Sequence, residues 1–384
     1  MDVYKESLRL HQENKGKLEI KSKINVKNKS DLSLVYTPGV AEPCRKIAEN
    51  KEDAYIYTMK GNCVAVISNG TAVLGLGDIG ADAAIPVMEG KALLFKELGG
   101  IDAFPICISS KDVEENVRII KAISPVFGGI NLEDYKSPEC FEIESKLQDL
   151  GIPVMHDDQH GTAIVVLAGL LNAIKVVKKE KETLNIIING AGAAGIAVTK
   201  LLLSAGFKNI TMVDTNGAIH SGRSDLNDIK KEISIITNIT KNSGDLIKVL
   251  NGADVFIGVS KGGILNSNNI KEMNKDPIIF ALANPVPEIM PEEAKKGGAR
   301  IIATGRSDFP NQVNNALAFP GIFRGALDIR AKKITESMKL AAAHALAELI
   351  KIPSENMILP DVLDKKVTLA ISEAVKKAWI AQNN

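Results

Sequence analysis

The apolar positions of the chain form short runs that alternate with longer segments of helical periodicity. Residues 1–30 are polar and rich in Lys and Asn, and the apolar runs that follow are separated by Gly and Pro. Runs of strand length predict strands at 64–68, 103–108, 126–131, 152–156, 184–189, 210–214, 255–258 and 278–283. Helices are predicted at 86–98, 162–179, 194–205 and 367–378. Strands that alternate with helices are typical of βαβ units, so the sequence predicts an α/β fold with parallel sheets.

The glycine pattern GxGxxG occurs twice, and its context separates the two matches. Gly190, Gly192 and Gly195 follow a predicted strand and open a predicted helix, which begins near Ala193 and Ala194. The next strand ends in Asp214, at the spacing of the acid that binds a nucleotide ribose. We therefore predict a dinucleotide site here. The earlier match, Gly75, Gly77 and Gly80, lacks this context and is interpreted as a tight turn packed against a helix.

Composition limits the class of protein. A chain of 384 residues favours two domains. Its 47 basic and 46 acidic residues nearly cancel, so we expect no nucleic-acid partner. The four cysteines have no CxxC spacing and are interpreted as free thiols. The most apolar stretch, 163–171, is shorter than the roughly 20 residues that span a bilayer, and the N-terminus has no apolar signal core. A cytoplasmic protein without a membrane partner is expected.

Two acidic pairs follow two predicted strands. Glu133 and Asp134 come after the strand at 126–131, and Asp157 and Asp158 come after the strand at 152–156. Ligands gather beyond the carboxyl ends of parallel strands, so the pairs could converge on one hard cation such as Mg2+ or Mn2+. The alternatives are a solvated loop pair and a helix N-cap, and spacing alone leaves them open. A zincin motif in the segment HDDQH (156–160) is rejected, because its second residue is Asp and not Glu.

One lysine interrupts an apolar helix face. Met88, Lys91, Phe95 and Leu98 fall on one side of the helix predicted at 86–98. Lys91 could extend its charged end to solvent, or it could be a buried amine with a lowered pKa that acts as a general base. The pattern does not decide between the two.

Several long segments, taken together, resemble the malic enzyme family. They run in order over most of the chain: YTPGVAEPC (36–44), GLGDIGADAAIPVMEGKALLFKELGGIDAFPI (75–106), INLED (130–134), HDDQHGTA (156–163), FALANPVPEI (280–289) and TGRSDFPNQVNNALAFPGIFRGALD (304–328). The resemblance implies an N-terminal malic domain for substrate and metal at 1–160. It implies a doubly wound, Rossmann-type NAD-binding domain with C-terminal helices at 161–384.

The resemblance also implies roles for single residues. Tyr36 resembles the general acid, Lys91 the general base, and Asp157 the carboxylate paired with that lysine. Glu133, Asp134 and Asp158 resemble the ligands of Mg2+ or Mn2+. Substrate or nicotinamide contacts are implied for Asn284 and Asn315, and substrate contact for Lys91.

The implied reaction is the NAD-linked oxidation and decarboxylation of (S)-malate to pyruvate and CO2, by a homodimer. Asp214 favours NAD over NADP, because Thr215 and Asn216 offer no adjacent cation for a 2′-phosphate, although the more distant Arg223 could still reach it. The segment GGIDAFPI lacks the arginine that binds a malate carboxylate in larger relatives, so that partner is unassigned. Two alternatives stay open: a malolactic-type enzyme that releases lactate, and a non-catalytic NAD-sensing protein.

Overall fold

The structure is a computed structural model that describes residues 2–73 and 75–383. The strands are β1 (Cys63–Ser68), β2 (Asp102–Cys107), β3 (Gly129–Leu132), β4 (Val154–His156), β5 (Asn185–Asn189), β6 (Asn209–Asp214), β7 (Gly217–Ala218), β8 (Val255–Gly258), β9 (Ile278–Ala281) and β10 (Ile301–Thr304).

The helices before the second sheet are α1 (Val3–Asn14), α2 (Lys29–Val35), α3 (Ala41–Glu49), α4 (Ala54–Tyr57), α5 (Ala81–Gly99), α6 (Val113–Ile123), α7 (Glu139–Leu147) and α8 (Asp157–Val177). Those that follow are α9 (Ala193–Ser204), α10 (Asp228–Ile236), α11 (Leu246–Leu250), α12 (Ser267–Lys271), α13 (Pro291–Lys296), α14 (Phe319–Asp328), α15 (Glu336–Glu348) and α16 (Lys366–Asn383). Short 3-10 turns lie at Lys51–Asp53, Met59–Asn62, Ser124–Val126 and Asn315–Leu317.

The strands form two sheets, and each has one point where the strand order reverses. The first sheet has the order β2-β1-β3-β4 and is parallel throughout, with its reversal between β1 and β3. The second has the order β10-β9-β8-β5-β6-β7, is parallel except for β7, and reverses between β5 and β8. Ligands of open α/β sheets bind at such points. The predicted α/β fold with a Rossmann-type second unit is confirmed.

Helix α8 joins the two sheets and forms part of the core. It begins directly after β4, ends shortly before β5, and its apolar residues pack against α9 and α15. Asn172 in its interior donates hydrogen bonds to the carbonyls of Ala347 and Ile358. By length and composition α8 could also span a membrane, but 61% of its apolar window is buried within the protein. The predicted domain boundary at residues 160 and 161 falls in its first turn and stays a proposal.

Two predicted helix starts were too late. Helix α5 begins at Ala81 and not at residue 86, because Gly80, with a φ of 82°, turns the chain into the helix and Pro86 is tolerated inside it. Helix α8 begins at Asp157 and not at residue 162. His160 therefore lies on the helix and not in a loop. The four cysteines are free thiols, as predicted.

The N-terminal segment differs from the rest of the chain. Its first 30 residues were predicted only as polar with weak periodicity, yet Asp2 caps α1 and Asn28 caps α2. None of residues 2–62 is buried. The sheets, by contrast, are enclosed by helices, and all six residues of β1 are buried.

Candidate active site

Three carboxylates meet at the carboxyl ends of β3 and β4, next to the reversal point of the first sheet. Glu133 and Asp134 directly follow β3, and Asp158 lies in the first turn of α8, which follows the neighbouring strand β4. One oxygen from each residue lies within 4.8 Å of the others. The backbone N–H of Asp134 donates to Asp158 Oδ2 at 2.7 Å, which fixes the two loops against each other. The structure therefore brings together the acids that the sequence paired only by spacing.

Lys91 reaches this cluster from α5. Its Nζ lies 2.7 Å from Asp157 Oδ2 and 2.8 Å from Glu133 Oε1, and it sits 4.4 Å from the centre of the Phe319 ring. Only 8% of the lysine is exposed, so the alternative of a solvated charged end is wrong. Burial alone would lower the pKa of Lys91, but the two carboxylates raise it above its ordinary value. The predicted fall of this pKa is thus corrected, because Asp157 and Glu133 both lie against the lysine amine.

The donor set fits a hard divalent cation. Burial, together with the neighbouring Asp158, Asp157 and Asp134, raises the pKa of Glu133 well above its ordinary value, although Lys91 opposes this. Lys91 therefore does not compensate all of the negative charge of the carboxylate cluster. Oxygen-only donors of this kind are those that Mg2+ and Mn2+ take in proteins.

A second layer of contacts holds the first turn of α8. His156 Nε2 lies 3.0 Å from Asp158 Oδ2, and Gln159 Nε2 lies 3.0 Å from His156 Nδ1. Behind them, partly buried Glu144 accepts hydrogen bonds from the His156 backbone N–H and the Gln159 amide. His160 Nε2 lies 3.0 Å from the same carboxylate, so both histidine side chains contact carboxylates of the protein and the zincin motif stays rejected.

Glycine at position 161 leaves room for the Asp157 carboxylate. A Cβ on Gly161 would lie 2.0 Å from Asp157 Oδ1 and 3.0 Å from the Cβ of Asn315. That Oδ1 is buried and makes no hydrogen bond to the described residues. Asn315, which was predicted to contact substrate, therefore lies beside the pair formed by Lys91 and Asp157, across the two domains.

The first glycine-rich turn packs against the second domain. Gly75, Gly77 and Gly80 all have positive φ, which confirms the predicted tight turn. Its neighbour is a loop and not the predicted helix, since a Cβ on Gly75 would lie 2.4 Å from the Asn284 carbonyl oxygen. Asn284 itself is exposed to solvent next to this turn.

Glu288 is a residue whose role the sequence did not reveal. It is completely buried and accepts hydrogen bonds from the backbone N–H groups of Ser260 and Ala283, both at 3.0 Å. These groups follow β8 and β9, so Glu288 holds the loop that presents Asn284. In the sequence Glu288 stands beside a Pro-rich loop, and no pattern there distinguishes a buried glutamate from an acid exposed to solvent.

The second glycine fingerprint has the geometry of a dinucleotide turn. Gly190 follows β5 with a φ of 124°, and Gly192 precedes α9, whose first residues are Ala193 and Ala194. A Cβ on Gly195 would lie 1.8 Å from the Gly190 carbonyl oxygen, so only glycine permits this close packing. The free N–H groups at the start of α9 suit a pyrophosphate.

Asp214 ends β6 on the wall of a cavity of about 560 Å3 next to this turn. Arg223 Nη1 donates to Asp214 Oδ1 at 2.8 Å, and Lys230 Nζ donates to Asp214 Oδ2 at 2.6 Å. Although burial alone would raise the pKa of Asp214, these two cations lower it. Lys230 therefore lines this cavity as a cation that the sequence did not reveal, in addition to the more distant Arg223.

Tyr36 is not brought to the cluster. It caps the C-terminus of α2, its residue is 66% exposed, and its side chain makes no hydrogen bond to residues 2–73 or 75–383. The contacts of Lys91 are with Asp157, Glu133 and Phe319.

The comparisons with known proteins agree with this architecture. Residues 14–148 match the model of the malic enzyme N-terminal domain, and residues 159–380 match that of the malic enzyme NAD binding domain. A bifunctional malic/malolactic enzyme of Bacillus subtilis is 55% identical over 98% of this chain and 93% of its own length. An NAD-dependent malic enzyme of Geobacillus stearothermophilus is 57% identical, over 94% of this chain and 76% of that protein.

An NADP-dependent malic enzyme of Rhizobium meliloti is 47% identical over 97% of this chain, which spans 51% of that protein. The crystal structure of an NAD-dependent malic enzyme of Thermotoga maritima aligns with a TM-score of 0.94 at 50% identity, covering 96% of this chain and 98% of that one. The dinucleotide turn in the second α/β unit, together with these relatives, defines the class of protein as a nicotinamide-nucleotide-dependent oxidoreductase. The chain belongs to the malic enzyme family.

Proposed function

We propose that this protein oxidises and decarboxylates (S)-malate to pyruvate and CO2, with reduction of NAD and with a requirement for Mg2+ or Mn2+. The observation that carries the proposal is the buried contact of Lys91 with Asp157 and Glu133, beside the carboxylate cluster. A protein that only senses NAD needs neither a buried lysine nor three converging acids, and both are costly to bury. We further propose that the protein is cytoplasmic and homodimeric.

The residues divide the reaction into two proton transfers. In its neutral form Lys91, held by Asp157, takes the proton of the malate C2 hydroxyl when the C2 hydride leaves. The bond from C3 to the departing carboxylate then breaks, and CO2 is released. Tyr36 donates its phenolic proton to C3 of the resulting enol, which gives pyruvate.

Glu133, Asp134 and Asp158 would hold the divalent cation, which when bound supplies Lewis-acid polarisation of the substrate's C2 oxygen. The turn at Gly190, Gly192 and Gly195 would hold the nucleotide, which when bound accepts the hydride. Phe319 and the buried α5 face keep water away from the Lys91 amine. Asn284 and Asn315 lie where they could orient substrate and nicotinamide.

A second candidate is the malolactic conversion of malate to lactate with retained nucleotide. It is favoured by one observation, the similarity of this chain to the bifunctional malic/malolactic enzyme of Bacillus subtilis. Product analysis separates the two reactions. Purified protein with (S)-malate, NAD and Mn2+ should form NADH and pyruvate in equal amounts. Lactate without net NADH would establish the second candidate, and no consumption of malate would contradict both.

A further inference from the structure

The start of α8 carries, besides Asp158, three polar side chains that contact α7. His156, Gln159 and His160 stand three and four residues apart, a spacing that places them on one face of a helix. All three contact Glu144 of α7. His156 is completely buried, and Gln159 is 4% exposed. Because buried polar groups are nearly always hydrogen-bonded, the partners of these side chains determine which atoms donate and which accept.

Glu144 is a fixed acceptor at the centre of these contacts. Its Oε1 accepts from the His156 backbone N–H at 2.9 Å, and its Oε2 accepts from Gln159 Nε2 at 3.0 Å. On the other side of the His160 ring, Nδ1 lies 3.3 Å from Lys339 Nζ, which belongs to α15 in the second domain. An ammonium group can only donate, so His160 Nδ1 accepts and His160 Nε2–H donates to Glu144. Three N–H groups therefore hold this carboxylate in place.

The amide of Gln159 has one orientation that satisfies its neighbours. Its nitrogen lies 3.0 Å from Glu144 Oε2 and 3.0 Å from His156 Nδ1. The reversed amide would place its carbonyl oxygen against the carboxylate, and both groups can only accept. The nitrogen therefore gives one N–H to Glu144 and the other to His156, whose Nδ1 is an acceptor.

This assignment fixes which edge of the His156 ring faces Asp158. With Nδ1 as an acceptor, the ring hydrogen of neutral His156 lies on Nε2. Nε2 is buried and makes no aligned hydrogen bond to the described residues, and the carboxylate that it faces is Asp158, with Oδ2 at 3.0 Å. The thiol of Cys140 is also close to the ring. In this tautomer the ring presents an N–H to Asp158, whereas the other tautomer would present a lone pair and repel it.

We propose that Gln159 is a positioning residue of the cation site, because it holds His156 in the tautomer that keeps Asp158 beside Glu133 and Asp134. Gln159 acts through His156, and Asp158 Oδ2 is thereby held from two sides, by the His156 ring and by the backbone N–H of Asp134. Groups that orient a metal ligand in this way typically contribute about 10–100-fold to metal affinity. The inference rests on the proposed function, since that function gives the three carboxylates a cation.

The first test is the tautomer of His156 in the metal-free wild-type protein. The chain contains five histidines, and NMR of isotope-labelled ring nitrogens shows for each of them which nitrogen carries the hydrogen. The signal that is missing from His156→Gln identifies His156. We expect its hydrogen on Nε2, and a hydrogen on Nδ1 alone would overturn the inference. This measurement needs no change at position 159, so it decides even if variants there do not fold.

The second test removes the amide of Gln159 and keeps its shape. In Gln159→Glu no N–H remains for His156 Nδ1, so the ring hydrogen should move to Nδ1 and a lone pair should face Asp158. Calorimetry with Mn2+ alone should show an affinity that is lower by about 10–100-fold. The added negative charge would by itself strengthen binding of a cation, so a loss cannot be a simple charge effect. Gln159→Met, which removes both N–H donors without adding charge, should also bind Mn2+ more weakly than wild type.

Gln148 provides the matched control. It lines the same cavity of about 340 Å3 as Gln159, but its amide nitrogen donates to the backbone carbonyls of Glu144 and Val154. Gln148→Glu adds the same charge to this cavity and should retain both the His156 tautomer and the wild-type affinity for Mn2+. An equal loss of affinity in Gln148→Glu and Gln159→Glu would overturn the inference.

A purely structural role of Gln159 predicts a different result. If the amide only satisfies Glu144, both Gln159 variants should unfold at lower urea concentration but bind Mn2+ as tightly as wild type. That outcome overturns the inference and leaves the proposed function intact. Wild-type protein that does not bind Mn2+ overturns the proposed metal requirement instead.

Discussion

Lys91 Nζ lies 2.7 Å from Asp157 Oδ2, and both groups are buried between the two domains. The other oxygen of Asp157 makes no hydrogen bond to the described residues, so the position of this carboxylate depends on packing. Gly161 supplies the space for it.

Gly161→Ala should therefore reduce malate oxidation although it touches no proposed ligand. The new Cβ would lie 2.0 Å from Asp157 Oδ1, and a misplacement of about 1 Å at a reacting group can cost about 100-fold in rate. The control is Gly90→Ala in α5, where the nearest atom is the end of Lys17 at 3.6 Å. The kcat of both variants is measured. Equal kcat values for the two variants would contradict this prediction, because they would show that the Asp157 carboxylate can move without loss of activity.

Asp158→Asn should weaken binding of the divalent cation while the fold is kept. It removes one of three anionic donors from an oxygen site, and even changes to groups that only orient a ligand typically cost about 10–100-fold in metal affinity. Titration calorimetry with Mn2+ alone measures the affinity without reference to turnover. Asp149→Asn, on an exposed acid at the end of α7, is the control. Unchanged Mn2+ affinity in Asp158→Asn would remove it from the ligand set.

Lys230 should determine the catalytic efficiency, kcat/KM, with NADP. Its amine lies on Asp214 and on the wall of the nucleotide cavity, where it can offset the repulsion between that carboxylate and a 2′-phosphate. Lys230→Ala should lower kcat/KM for NADP by about tenfold, which corresponds to about 1.4 kcal/mol. The value for NAD should change little. Lys231→Ala, a neighbour paired with Asp228, is the control. An equal loss with both nucleotides would contradict a 2′-phosphate role.

Glu144 should make the stability of the fold depend on acid pH. Although burial opposes it, His160 and the His156 backbone lower the pKa of Glu144 to about 2 from its ordinary 4.5. A lowered pKa stabilises the folded state above the ordinary value, and this stability is lost as pH falls from 4.5 toward 2. It amounts to on the order of 3 kcal/mol.

Glu144→Gln should therefore unfold at lower urea concentration than wild type at neutral pH, and the difference should shrink near pH 3 on this linkage argument. Glu142→Gln, on the same helix but paired with Lys146 at the surface, should differ little from wild type at either pH. A difference for Glu144→Gln that does not depend on pH would contradict the linkage.

The sequence predicted β1 to β6, β8 and β9, because β-length apolar runs and the second glycine fingerprint carry local signals, but among the helices it predicted only α5, α8, α9 and α16. It singled out Lys91 as a polar residue on an apolar face but left open whether the amine is buried. The sequence did not predict properties that depend on contact with a residue from a distant helix or strand. The direction of the Lys91 pKa depends on Glu133 and Asp157, which lie 42 and 66 residues further along the chain. Lys230 reaches Asp214 from the next helix, 16 residues on.

The exposure of Tyr36 could not be predicted for the same reason. Its Pro-Gly turn is visible in the sequence and is present in the structure. Whether the turn reaches the site depends on where residues 24–62 are attached, and that attachment is set by Lys23, Asp102 and Cys63 at the edge of a sheet.

The most direct test of the account is exchange of the pyruvate C3 protons with deuterated water, because this partial reaction requires the acid but no oxidation. In the presence of Mn2+ and NADH, the exchange is followed by NMR for wild type, Tyr36→Phe, Lys91→Ala and the surface control Lys96→Ala. Lys91→Ala should suppress NADH formation from malate by about 10²–10⁴-fold, as loss of a general base typically does. Tyr36→Phe should lose the exchange most severely, and Lys96→Ala should retain both activities. Wild-type exchange by Tyr36→Phe with none by Lys91→Ala would show that the two roles are reversed.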